Sequence, residues 1–302
     1  MRRINLFSYG MMSLLKLFAR VLVIVLAVSL FQQAHSAQAV PVRPPHFDRR
    51  AMPEALAAPV RSPKGDAAKP APDWRFYVLE YHNFTENASQ AADYTMTVSA
   101  LRRDLDFLRD NGYTTVLPRE LAAGQLDDGS PLPQKAVLLT FDDGYYFNKT
   151  YAMPLLEKYG FPALFAIVGE YTKFNKNNPK VSKTYTYFDF EDVAEINRSK
   201  YVEIAAHSYY LHHFGKRQGV KIKKYEDKTA YCEMLEKDTR LLEKSLLQAG
   251  VRPRVYAYPF GAYCAESEQV IKRLGYEMSL TCNEGINCVK TPENLFLLKR
   301  LN

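Results

Sequence analysis

The sequence predicts an α/β domain built as a distorted parallel (β/α)7-8 barrel, and three observations predict it. Short, nearly continuous apolar runs, of which residues 136–141 (AVLLTF) are the clearest, suit strands buried on both faces of a parallel sheet. These runs alternate along the chain with segments of helical period, the order expected of βα units joined by right-handed crossovers. The residues of unusual chemistry gather at the C-terminal ends of the runs, the edge where α/β enzymes place variable loops and reactive groups.

The elements follow in order. Arg2, Arg3, Lys16 and Arg20 precede an apolar run over residues 21–31 and the small-x-small site Ala37-Gln38-Ala39. That arrangement predicts a secretory signal peptide over 1–39, cleaved after Ala39. An uncleaved anchor is the competing reading, but the run falls short of the roughly 20 residues that span a bilayer. The mature chain is therefore expected to be exported, to periplasm, cell envelope or medium, without a stable membrane span. Residues 40–72 are rich in Pro and Ala and show no period, which predicts an extended linker. Residues 73–302 form one domain of a size common for barrel-like α/β folds.

Within that domain, residues 76–80 read as a strand that delivers Tyr81-His82 to a loop. A helix follows with Ser99 as N-cap and Leu101, Leu105 and Leu108 on one face, stopped at Asn111-Gly112. Residues 114–116 and 136–141 are strands, 148–159 a helix, 163–168 a strand and 170–188 a long loop. Asp189 caps a helix through Ile196, and residues 202–206 form a strand ending at His207. The longest helix spans 226–249. Residues 255–258 form a strand ending in Pro259-Phe260-Gly261, 267–274 a helix, and 276–281 and 295–298 the last strands.

Composition excludes some functions. Four of the 40 Lys and Arg residues lie in the first 39 positions, leaving 36 against 33 acids, which is not a nucleic-acid-binding charge. All four cysteines, Cys232, Cys264, Cys282 and Cys288, fall in the last third, where export permits oxidation. Cys282 with Cys288 closes the shortest loop and leaves Cys232 with Cys264, one of three possible pairings. Spacings for a zinc ribbon are absent. The Asn-x-Ser/Thr sequons at Asn83, Asn87, Asn148 and Asn197 read as chance.

The strand at 136–141 stops in Asp142-Asp143-Gly144. Asp-Gly is a common turn dipeptide, yet adjacent carboxylates repel and are cheaper to hold beside a cation. Three of the six histidines crowd into His207-Ser-Tyr-Tyr-Leu-His212-His213. Residues five apart on a helix point about 140° away from each other, so a loop leaving a strand must aim His207 and His212 together. Two imidazoles and a carboxylate leave one position open, as catalytic zinc sites require.

Thr140-Phe-Asp-Asp-Gly144 resembles the first motif of the NodB-homology polysaccharide deacetylases (carbohydrate esterase family 4), and His207-Ser208 with His212 resembles the second. The resemblance implies that Asp142 is the general base and that Asp143, His207 and His212 bind a divalent metal, with zinc the leading candidate. The usual second motif has its second histidine where this chain has Leu211; the form with one extra residue resembles the HSYDLHH-like version, which selects His212 over His213. Tyr258-Pro259-Phe260-Gly261 resembles the third motif, lining the substrate groove, with the Phe260 N–H offered to the oxyanion. The family often carries an arginine where Ala257 stands here, so another residue must orient Asp142, with Arg300 the candidate. No histidine follows His213, and the family's C-terminal general acid is therefore missing. The strand ending at His82 resembles the circularly permuted branch that includes exported poly-N-acetylglucosamine deacetylases, which makes His82 the general acid.

These resemblances imply hydrolysis of N-acetyl groups from an N-acetylglucosamine-containing polysaccharide, with release of acetate. An O-deacetylase of an acetylated polysaccharide, or a non-catalytic carbohydrate-binding protein on the same fold, are the alternatives. Tyr209, Tyr210, Tyr258 and Tyr263 are candidates for stacking against sugars.

Overall fold

Trp74–Tyr81 forms β1, a strand buried over its last six residues. The computed structural model describes residues 74–177, 186–215, 217–291 and 294–302, so the expected signal peptide and linker lie outside the described residues. After β1 come β2 (Asn83–Thr85), β3 (Thr95–Thr97), α1 (Val98–Asp110), β4 (Thr114–Thr115) and α2 (Pro118–Ala123). Next are β5 (Ala136–Phe141), α3 (Met153–Tyr159), β6 (Ala163–Ile167), α4 (Gly169–Asn177), α5 (Phe190–Ile196) and β7 (Val202–Ala206). The chain ends with α6 (Lys228–Gln248), β8 (Val255–Ala257), α7 (Ala265–Arg273), β9 (Met278–Leu280) and β10 (Asn287–Val289).

The strands pair in the order β10-β1-β5-β6-β7-β8-β9, with β4 against the first residues of β5. All these pairings are parallel except that of β10 with β1. The C-terminal segment then joins the two sides. Leu298 bridges Leu280 of β9 and Leu301 bridges Leu79 of β1, both in parallel sense. Leu298 N donates to Ser279 O and Leu301 N to Val78 O, at 2.9 and 2.8 Å. In place of the strand expected at 295–298, the C-terminal segment makes these two isolated bridges, one to each side of the sheet, and so links β9 to β1 in the distorted barrel.

Period-two alternation sorts the side chains of each strand. Tyr77, Leu79, Val137, Leu139, Phe165 and Ile204 belong to the core shared with Leu101, Leu105, Leu156, Leu235 and Ile271 of the helices. Their neighbours Phe76, Val78, Leu138, Leu164, Ala205, Ala257 and Leu280 form a second cluster inside the barrel, reached by Leu121 of α2. Continuing that inner column to and past the strand ends gives Glu80 on β1 and His82 just after it, Asp142 after β5, His207 after β7 and Cys282 after β9. The alternation itself therefore assembles one face of polar residues.

The structure corrects several expectations. Thr97, not Ser99, caps α1, its hydroxyl accepting from Ala100 N at 3.2 Å. Part of the expected 170–188 loop is helix α4, because the buried Thr172 hydroxyl ties back to the Val168 carbonyl (3.0 Å) and Tyr171 is anchored on the site. α2, β2, β3 and β10 carry too little periodic signal to be read from sequence. All four cysteines are free thiols, against the expected pairing. Cys282 turns its sulfur toward Glu80 and Arg300, 3.5 Å from each, whereas Cys288 sits in β10 opposite Arg75. Cys264 begins α7 with its sulfur on the Tyr231 hydroxyl.

Candidate active site

Three strand ends hold non-glycine residues in the left-handed region: Asp143 (φ 70°), Ser208 (φ 66°) and Phe260 (φ 59°). Each such conformation costs on the order of 1 kcal/mol and persists where packing over-determines it. Gly144 continues the turn at φ 73°, so Asp143-Gly144 is a turn dipeptide and a site element at once. Gly169 lets the second loop approach, since a Cβ there would lie 2.3 Å from the Tyr209 ring. Asp238 of α6 then fixes that loop, accepting the Tyr209 and Tyr210 N–H groups at 2.8 and 2.7 Å.

The turns bring Asp143, His207 and His212 together, each with a donor atom within 4.8 Å of the others. Asp143 Oδ1 lies 3.0 Å from His212 Nε2 and 3.5 Å from His207 Nε2. His207 Nδ1 sits 2.8 Å from the Ala257 carbonyl, which fixes the tautomer with Nε2 facing the carboxylate. His212 Nδ1 is 3.0 Å from the Tyr171 hydroxyl, which also donates to the His212 carbonyl at 3.2 Å. His213 points elsewhere: its side chain is 62% exposed and 3.3 Å from Glu170, against 12% exposure for His212.

These residues fit a divalent cation. Asp143 Oδ1 is buried without a hydrogen-bond partner, and both imidazoles present Nε2 to it while their Nδ1 atoms are occupied, the arrangement seen around metal-ligating histidines. Burial alone would raise the Asp143 carboxyl, but the His212 and His207 imidazoles beside it hold it well below the usual range. Burial would likewise lower His207, and Asp142 with Asp143 raise it instead. The pocket thus carries a negative potential that favours positive charge.

Because Tyr171 fixes the His212 ring, Tyr171→Phe is expected to weaken Zn²⁺ binding by about 10- to 100-fold, the usual cost of losing an outer hydrogen bond to a metal-binding histidine. Calorimetric titration of the metal-free protein measures it, and unchanged affinity would remove Tyr171 from the site.

Asp142 is held on the other side by Arg300. The guanidinium is buried and forks onto the carboxylate, Nη1 to Oδ1 at 2.9 Å and Nη2 to Oδ2 at 2.8 Å. It also donates Nε–H to the Thr281 carbonyl at 2.7 Å and lies 3.0 Å from Glu80. Burial pushes Asp142 up, yet Arg300 and then His207 bring it below its ordinary value. Glu80 goes the other way, raised by burial despite Arg300 and raised further by Asp142. His82 completes this half, its Nε2 3.7 Å from Glu80 Oε1.

Of the third-motif residues, only Phe260 faces the cleft, its ring 4.5 Å from the His212 imidazole. The turn's own hydrogen bonds run from Gly261 to Tyr258 and from Ala262 to Pro259, and they leave out the Phe260 N–H. Tyr258 and Pro259 are buried, so neither lines a groove as expected. Tyr258 instead packs between Tyr256 and Tyr263. Among the expected stacking tyrosines, Tyr209 is also buried. Sequence reasoning missed Glu80, although its place two residues before His82 puts both on one side of the chain at the end of β1, and it missed Asp238 and Tyr171, whose partners are remote in sequence.

Comparison with known proteins agrees with this architecture. Residues 129–279 match the family model described as polysaccharide deacetylase. A poly-beta-1,6-N-acetyl-D-glucosamine N-deacetylase from Escherichia coli (strain K12) is 30% identical over 73% of this chain and 36% of its own length; the chain thus spans little more than a third of that relative. Among solved structures, a de-N-acetylase from Aggregatibacter actinomycetemcomitans superposes with a TM-score of 0.64 at 27% identity, covering 75% of this chain and 94% of that one. The BpsB deacetylase domain from Bordetella bronchiseptica gives 0.60 at 25% identity over 76% and 97%. The chain belongs to the polysaccharide deacetylase family.

Proposed function

We propose that this protein is a metal-dependent N-deacetylase that removes acetyl groups from a poly-N-acetylglucosamine chain and releases acetate. The observation that carries this reading is the juxtaposition of the Asp143, His207 and His212 donor set with an Asp142 carboxylate clamped by Arg300, Asp142 Oδ2 lying 3.9 Å from His207 Nε2. The N-deacetylase and de-N-acetylase relatives from E. coli and A. actinomycetemcomitans support the N-acetyl substrate.

Asp143, His207 and His212 would hold a divalent cation, zinc by the chemistry of the donors, which would supply Lewis acidity for the acetamide carbonyl and for the attacking water. Asp142, kept ionised by Arg300, takes a proton from the attacking water as the new C–O bond forms. The Phe260 N–H donates to the developing oxyanion, a contact of a kind worth about 10²-fold or more in rate. As the C–N bond breaks, His82 passes a proton to the departing nitrogen, leaving a free amine on the sugar and acetate. A poly-N-acetylglucosamine substrate is in keeping with the export expected from the sequence; no helix among the described residues is long and apolar enough to cross a membrane.

The test is acetate release from β-1,6- and β-1,4-linked N-acetylglucosamine oligomers with added Zn²⁺. Asp142→Asn is expected to lower kcat by about 10²- to 10⁴-fold, the range of a general base, while Zn²⁺ affinity persists. Wild-type protein that binds metal yet releases acetate only from O-acetylated polymers would replace this reading with an O-deacetylase.

A further inference from the structure

Two large aromatic side chains stand in solvent on either side of the reactive groups. Phe214 is 71% exposed, and its ring meets the Phe260 ring edge-on at 5.5 Å; Phe260 in turn covers His212 at 4.5 Å. Across the cleft, Tyr94 is 54% exposed, and its ring meets His82 edge-on at 4.9 Å. Neither ring fills the core; packed on Phe260 and on His82, each continues the site's own surface as an exposed apolar patch, and such patches, unlike single exposed rings, mark binding surfaces.

The backbone that carries both rings is anchored. The Tyr94 carbonyl accepts Asn83 N–H at 3.0 Å, which ties it to the start of the β2–β3 pair immediately after His82. Phe214 pairs with Gln218, and Gly219 N donates to the His213 carbonyl at 3.2 Å, so the turn is anchored beside a ligand residue. The Phe260 turn beneath it is fixed by Gly261, where a Cβ would lie 2.5 Å from Cys282 N. Aromatic side chains have few rotatable bonds, so on an anchored backbone they lose little entropy on binding.

We propose that Phe214 and Tyr94 are platforms for the two sugar units flanking the one whose acetyl group is hydrolysed. The inference rests on the deacetylase reading above and assigns it a substrate of at least three linked N-acetylhexosamine units. A pyranose presents a flat face of C–H bonds that covers an aromatic ring, while its hydroxyls stay in water; apolar surface with a few placed polar groups suits such a ligand. Because one ring abuts the general acid His82 and the other the Phe260–His212 side, a chain whose central acetamide reaches Asp142 passes over both.

The experiment is kcat and KM for acetate release from N-acetylglucosamine oligomers of two to six units, with Phe214→Ala, Tyr94→Ala and Phe214→Trp. In the wild type kcat/KM is expected to rise with chain length. Each alanine variant raises KM for the longer oligomers by about three- to tenfold, the size of one aromatic contact, the loss appearing in KM rather than kcat, and Phe214→Trp restores it. Chain-length profiles that match the wild type in both alanine variants overturn the proposal. Calorimetric binding of the hexamer to Asp142→Asn protein, with and without Phe214→Ala, reads the platform apart from turnover. Weaker binding on loss of the ring supports the platform even if the wild type releases no acetate, in which case only the deacetylase reading falls; equal binding rejects the platform.

Discussion

Arg300→Ala is expected to lower the unfolding free energy by about 3–5 kcal/mol, because removing one partner from a buried ionic cluster leaves the others uncompensated. Arg300 is fully enclosed and stands between two buried carboxylates, Glu80 and Asp142. Without it the two can be held only by protonation, which also disarms Asp142. For a domain of this size the loss corresponds to a fall of roughly 6–20 °C in Tm, read by thermal unfolding of the metal-free protein, and acetate release should fall with it. Arg300→Lys separates the two effects. It keeps the charge, and so much of the stability, but has no planar fork to grip both oxygens of Asp142, so kcat stays low. An alanine variant that melts with the wild type would show that the guanidinium does not neutralise the pair.

Arg300 also shows where sequence reading succeeds and where it stops. Strand ends are local: an apolar run broken by Asp142-Asp143, or by His207, announces itself within ten residues, and the parallel βα order follows from repetition of that signal. The clamp on Asp142 instead joins positions 158 residues apart, and nothing local marks Arg300 as buried. Only the missing arginine at Ala257 signalled that some cation had to replace it. The sequence reading placed the last strand at 295–298, whereas barrel closure continues to Leu301 through bridges too short to have a period.

Side-chain direction was legible where alternation applies and illegible in turns. Glu80 and His82, or Leu138, Thr140 and Asp142, follow from period two along a strand. Tyr258 and Phe260 also alternate, yet the left-handed Phe260 breaks the rule: Tyr258 is packed into the core and Phe260 left in the cleft. The same limit applies to the cysteines, for which sequence separation suggested a loop to close while Arg300 and Glu80 hold the Cys282 sulfur inward.

The choice between His212 and His213 provides the second large effect. Adjacent residues in an irregular loop cannot be told apart by period, and here backbone geometry decides: Tyr171 and Phe260 enclose His212 while His213 reaches out to Glu170. His212→Ala is expected to weaken Zn²⁺ binding by more than about 100-fold, since losing merely an outer partner of such a histidine costs about 10- to 100-fold, and to abolish acetate release at ordinary metal concentrations. His213→Ala should leave both unchanged. Calorimetric titration of the metal-free variants distinguishes them without reference to turnover, and the reverse pattern would assign the third ligand to His213. The pair also separates metal binding from the Asp142 half of the site. Asp142→Asn should keep the metal and lose the reaction, whereas His212→Ala should lose the metal first, recovering activity only when excess Zn²⁺ refills the two remaining donors.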